Sequence, residues 1–183
     1  MAEESKFVDI ALLATQKALE PPLSVRRGAA LLYQVTVDNK LALTVDPKQP
    51  MRGDSAFQTD LCVFDQKSDG VVIPRVVLEF KTSITTHDVI TYSAKARKHK
   101  QVYPYLRYGI IMSGVATVPK RVFVHNESLD FAAAVQDMNG TELQEFFVRL
   151  FAVEVAASKQ LENIAFGTLR PRLYRTEVQV DQI

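Results

Sequence analysis

The run Val76-Val77-Leu78-Glu79-Phe80-Lys81-Thr82 limits what this chain can fold into more than any other stretch. Its first three residues are apolar on both faces of an extended strand, and only a central strand covered on both sides buries such a run. Residues two apart in a strand share a face, so Glu79 and Lys81 project to one side and Phe80 to the opposite layer. A carboxylate and an ammonium at the end of an apolar strand cost free energy unless partners or a ligand compensate them. Thr59-Asp60-Leu61-Cys62-Val63-Phe64 reads as a second strand, and as a neighbour it brings the Asp60 carboxylate close to Glu79. Two carboxylates held together repel, and a divalent cation relieves the repulsion; oxygen ligands suit Mg²⁺, with Mn²⁺ as a substitute. Lys81, beside both, is placed to orient a nucleophile or stabilise charge developing on a phosphate. The chemistry read from these residues is phosphodiester hydrolysis.

The rest of the pattern places these strands in an α/β frame. Phe7, Ile10, Ala11, Ala14 and Ala18 recur at helical spacing until Pro21-Pro22 forbids continuation. Leu31 to Val37 and Leu41 to Val45 read as a hairpin about Asp38-Asn39-Lys40, followed by a loop from Asp46 to Ser55. A short apolar run, Val71-Val72-Ile73, follows the turn at Ser68-Asp69-Gly70 and leads to a strand from Arg75 to Phe80. A helix is expected from Thr86 to about Gln101, capped by Thr85 or Thr86, and then a strand from Tyr108 to Met112. Val122-Phe123-Val124 suggests another strand, and Asn126 or Ser128 caps a helix through Val135. Asn139-Gly140 breaks that helix, and the longest one runs from Thr141 to about Ser158 with Leu143, Phe146, Phe147, Leu150 and Phe151 on its apolar side. The tail from Leu169 to Val180 is too mixed to assign. Without repeat or linker, residues 1–183 are expected to form one mixed α/β domain.

Here composition matters chiefly for what it excludes. The 183 residues are 47% hydrophobic, enough for a real core. With 22 basic and 21 acidic residues, the whole-molecule field names no partner. The single cysteine, Cys62, cannot pair internally and lies in an apolar run, which suits a reducing interior. Three scattered histidines offer no zinc spacing, and there is no phosphate-binding glycine loop of the motor ATPase kind. The start, Met1-Ala2-Glu3-Glu4-Ser5-Lys6, lacks the pattern of a signal peptide, and no apolar run is long enough to cross a bilayer, so a cytoplasmic protein is expected.

Asp60, followed 19 positions later by Glu79-Phe80-Lys81 at the end of an apolar strand and then by a helix, resembles the PD-(D/E)XK nuclease superfamily of restriction endonucleases and repair nucleases. The resemblance covers about residues 54–114. It implies a restriction-endonuclease-like mixed central sheet flanked by helices, one or two Mg²⁺ ions, and DNA cleavage. Asp60 and Glu79 match the metal-binding carboxylates, Lys81 the catalytic lysine, and the Phe80 backbone carbonyl a further metal ligand. Thr59 stands where the family often has proline. Many members carry a glutamate on the first helix, for which Glu20 is the candidate, and Gln101 with Tyr105 fits the Q-x-x-x-Y pattern of RecB-like members.

A Glu-x-Lys triplet alone carries little weight. Glu4-Ser5-Lys6 is another such triplet, in a polar terminus with no strand around it, and only strand context distinguishes Glu79-Phe80-Lys81. The helix after Lys81 carries Lys95, Arg97, Lys98, His99 and Lys100, with Arg107 just beyond, a basic stretch expected to contact DNA phosphates. Arg170, Arg172 and Arg175 form a lesser cluster. The reading is a DNA endonuclease of restriction or repair, working as a homodimer or with a separate helicase or translocase chain. Its rivals are a non-catalytic DNA-binding or assembly subunit retaining the fold, and a nuclease for RNA or for branched or single-stranded DNA.

Overall fold

The computed structural model describes residues 2–53, 55–174 and 180. Helix α1 spans Ala2–Ala18, followed by strands β1 (Leu23–Arg27), β2 (Ala30–Leu32), β3 (Ala56–Gln58), β4 (Leu61–Gln66) and β5 (Val72–Lys81). Then come α2 (Thr86–Val102), β6 (Arg107–Met112), α3 (Lys120–His125), β7 (Phe131–Ala134) and α4 (Gly140–Phe166). Five strands form a mixed sheet in the order β1-β4-β5-β6-β7, and β2 pairs with β3 in a separate two-stranded ribbon. β1 and β5 run antiparallel to β4, whereas β6 is parallel to β5 and β7 parallel to β6.

β5 is the central strand, as its apolar run requires: Val76, Val77, Leu78 and Phe80 are all fully buried. Its alternation divides the core. Val76, Leu78 and Phe80 pack with α1 and α4 through Val8, Ala11, Leu143, Phe147 and Phe151. Val77 faces the other layer with Cys62, Tyr108, Ile110, Val89 and Ala96, under α2 and α3. Each large apolar side chain so buried contributes about 1.5–3 kcal/mol. The apolar side of α4 is thus spent inside the molecule. Both long helices after β5 begin with reciprocal caps: Thr85 with Asp88 opens α2, and Asn139 with Glu142 opens α4. Each removes orphan N–H groups and contributes about 1 kcal/mol.

Several expectations are corrected. The strands Leu31–Val37 and Leu41–Val45 reduce to β2 and one isolated bridge, Val37 to Leu43, around a turn in which Asp38 Oδ1 accepts from Lys40 N and Ala42 N. Val35, Val37, Leu41 and Leu43 are exposed, so no buried face holds an extended hairpin. Val122-Phe123-Val124 lies in helix α3, entered from Pro119, and only Val122 is buried. The stretch expected as a helix through Val135 instead forms β7. Asn126 Oδ1 accepts from Ser128 N and Leu129 N in a turn, and the chain then joins the free edge of β6. β1 went unrecognised because its residues are only half-buried or exposed. α4 runs on to Phe166. Within the tail, Arg175 and the residues to 179 lie outside the described residues.

Candidate active site

The site lies where β5 outruns β4. Leu61 pairs with Leu78, so Asp60 stands opposite Glu79 and the last residues of β5 have no β4 partner. The Lys81 carbonyl accepts from Ser113 N, on the β6 side. Because successive peptide groups alternate sides, the Phe80 N–H and C=O face the vacated β4 side. There the Phe80 N–H donates to Asp60 Oδ2 at 2.8 Å. Asp60, Glu79 and the Phe80 carbonyl are therefore gathered at one edge.

Glu79 is 3% exposed. Burial pushes its carboxyl up to about 7; nearby Lys95 pulls the other way, and Asp60 adds to the rise. Tyr108, fully buried on β6, donates its hydroxyl to Glu79 Oε1 at 2.5 Å and fixes the carboxyl's orientation. Lys95 Nζ lies 4.0 Å from the same oxygen. Lys81 Nζ is paired with Glu4 Oε1 at 3.1 Å and sits over the Tyr92 ring, 5.8 Å from its centroid. Burial alone would lower the Lys81 ammonium's pKa, but Glu4 and Tyr92 outweigh it and the net shift is upward. Lys81 is thus a firmly charged cation.

Glu4 was missed by sequence reasoning. It stands in the first turn of α1, in the very triplet set aside for want of a strand, and only tertiary packing brings it to Lys81. Glu20 lies beyond the opposite end of α1, about 20 Å further along the helix rise, and is exposed. Tyr92 and Tyr108 gave no signal beyond their helix and strand positions. Gln101 is exposed, and Tyr105 packs on Tyr103, Phe166 and Arg75 at the start of β5 and β6. From Arg75 to Lys81 is about 20 Å of strand, so Tyr105 is not brought to the site.

The basic stretch divides. Arg97 and Lys98 are exposed on α2, and Lys95 leans toward Glu79. The expectation for His99 is corrected: it is fully buried, its Nδ1 faces the Leu32 carbonyl at 2.9 Å, and burial lowers its pKa to about 4. Lys100 and Arg107 are both bound to Asp130, at 2.7 and 2.8 Å, and Arg107 also to Glu154 at 2.6 Å, so their charge is spent within the fold. Cys62 is fully buried, and burial pushes its thiol well up, as a core residue.

Among the described residues no group of three or more Asp, Glu, His or Cys side chains converges to hold a metal. The donor set at the end of β5 is two carboxylates and a backbone carbonyl, which suits an ion that keeps several waters, as Mg²⁺ does. Burial is the main cause of the upward shift at Glu79 and Asp60 a lesser one, and a bound cation would offset both. No family model matches the chain, and no curated protein matches it. No described helix is long and apolar enough to cross a membrane.

Proposed function

We propose that this chain is a Mg²⁺-dependent deoxyribonuclease of the PD-(D/E)XK type, a single restriction-endonuclease-like domain acting as an endonuclease in restriction or repair in the cytoplasm. The observation that carries the reading is the Asp60 carboxylate on the Phe80 N–H, which sets Asp60, Glu79 and the Phe80 carbonyl along one strand edge beside Lys81. Those three groups would hold the ion. When bound it supplies the charge that polarises a scissile phosphate and acidifies water. Tyr108 keeps Glu79 turned toward the ion's place, while Lys81 and Lys95 add positive charge where the phosphate gains negative charge. Glu4 holds the Lys81 ammonium in position until a phosphate competes for it. Two strands of a duplex would need two copies, or a partner motor chain that presents each strand in turn.

The test is cleavage of plasmid, linear duplex and single-stranded DNA with Mg²⁺, Mn²⁺ or EDTA, with Lys81→Ala and Asp60→Ala alongside. Metal-dependent cutting lost in both variants supports the nuclease. A second reading, a non-catalytic DNA-binding or assembly subunit, draws on the Lys81 pairing with Glu4, which occupies the ammonium with a carboxylate of the fold. It becomes the better account if the wild type cuts none of these substrates and both variants bind DNA as it does.

A further inference from the structure

A ladder of rings and lysines leads away from Lys81. Tyr92 lies under both Lys81 and Lys95, at 5.8 and 4.9 Å from the ring centroid. Lys95 also sits 5.9 Å from the Phe57 ring of β3, and Phe57 stacks on Tyr33 with centroids 4.0 Å apart and planes 18° from parallel. Lys98 caps Tyr33 at 4.9 Å. Tyr92, Lys95 and Lys98 recur every three residues on α2 and so lie on adjoining turns, about 9 Å from first to last. Beside the ladder is a cavity of about 250 Å³ lined by Phe57, Lys95, Arg52 and Gln58.

Core packing accounts for only part of this arrangement: Tyr92 packs against the cluster beneath α2, and Phe57 meets the buried His99 ring edge-on with centroids 5.8 Å apart. Tyr33 and Phe57 belong to neither hydrophobic cluster of the sheet, and both are only partly buried. Nor does acid pairing account for the lysines: Lys98 has no carboxylate partner among the described residues, and Lys95 reaches only Glu79. Rings alternating with cations beside a phosphodiester site match what an unpaired strand offers, an exposed base face at each nucleotide and a phosphate between. A duplex hides its base faces and is held mainly by charge. The basic stretch of α2 offers less charge than its composition suggests, because His99 is buried and Lys100 and Arg107 are bound to Asp130, and the lysines that remain, Lys95 and Lys98, stand against rings.

Resting on the nuclease reading for its chemistry, we infer that the α2–β3 ladder is a stacking platform for about three nucleotides of unpaired DNA, so that the substrate is a single strand or a frayed end. The experiment is fluorescence anisotropy in EDTA, with a labelled short single-stranded oligodeoxynucleotide, the blunt duplex of the same sequence and the matching oligoribonucleotide. The proteins are the wild type, Tyr33→Ala, Tyr33→Phe and Phe57→Leu, each checked for an unchanged far-ultraviolet spectrum and thermal midpoint. Single-stranded DNA should bind at least about tenfold tighter than duplex, and Tyr33→Ala should weaken it about five- to a hundredfold, the range for losing one stacked base. Tyr33→Phe should restore binding, and duplex affinity should not move. Tighter duplex binding, tighter RNA binding, or folded Tyr33→Ala and Phe57→Leu variants that bind single strands as the wild type does would each overturn the platform. Because cleavage is absent in EDTA, ring-dependent binding stands even if the protein never cuts DNA, and cutting without ring dependence sinks the platform while leaving the nuclease intact.

Discussion

The Asp60 carboxylate occupies the place on β5 that a further residue of β4 would fill, accepting the Phe80 N–H at 2.8 Å. One side chain therefore does two things: it satisfies a backbone donor and presents a second oxygen beside Glu79. These roles separate by substitution. Asp60→Asn keeps an acceptor and should stay within about 1 kcal/mol of the wild type in urea unfolding, whereas Asp60→Ala should lose about 1–3 kcal/mol. Both should cut DNA at least about a hundredfold more slowly. Equal stability of Asp60→Ala and the wild type would show that the hydrogen bond contributes nothing.

Glu79 should make the metal-free protein less stable as pH rises. Its folded value of about 7 exceeds its ordinary 4.5. Between these values the folded state holds a proton that the unfolded state has released, so stability falls by up to about 3 kcal/mol as pH climbs through the window. Glu79→Gln should lack this loss and be the more stable protein at pH 8, and Mg²⁺ should restore stability to the wild type only. Identical slopes for the two proteins would assign the effect elsewhere.

His99 should act with the opposite sign. Burial lowers its folded value to about 4 from 6.5. Its contribution is complete above the higher value and lost as pH falls through the lower one, by up to about 3 kcal/mol. Thermal unfolding from pH 7 to pH 4 measures it, and His99→Ala should flatten that part of the curve. The variant's affinity for duplex DNA at neutral pH, measured well below its melting point, should equal the wild type's; a loss there would return His99 to the contact surface.

Arg75 is fully buried between Asp65 and Glu162, at 2.9 and 2.6 Å, with the Tyr105 ring 5.6 Å away. Asp65 is held below its ordinary range: burial pushes it up, but Arg75, Lys159 and Lys67 together outweigh that. Arg75→Ala leaves two carboxylates without their main partner and should cost about 3–5 kcal/mol. Cleavage per folded molecule, assayed at low temperature, should be unchanged.

What could be read in advance follows the physics of local pattern. The β5 run declared its central place because no exposed strand carries Val76-Val77-Leu78, and strand alternation put Glu79 and Lys81 on one face. α1, α2, β6 and α4 were readable from periodicity and caps. α3 and β7 were exchanged because Val122-Phe123-Val124 has strand composition inside a helix and Phe131 to Ala134 has helical composition inside a strand. In β7 pairing with β6 decided the matter, and local propensity lost. Glu4, Tyr108 and the burial of His99 were out of reach for a different reason. Each depends on which face of one element meets another, a long-range fact that no window of sequence contains.

β5 carries its ionic anchor at Arg75 and the proposed chemistry at Lys81, six residues along a single strand. Among the described residues the partners of Arg75 (Asp65, Glu162 and Tyr105) and those of Lys81 (Glu4 and Tyr92) do not overlap, so the costs of substitutions at the two ends should add. Stability gained at the Arg75 end could therefore underwrite losses incurred in diversifying the Lys81 end. Selection for new substrates, in nature or in a randomised library, can alter the surroundings of Asp60, Glu79 and Lys81 while those three residues and the Arg75 anchor are kept.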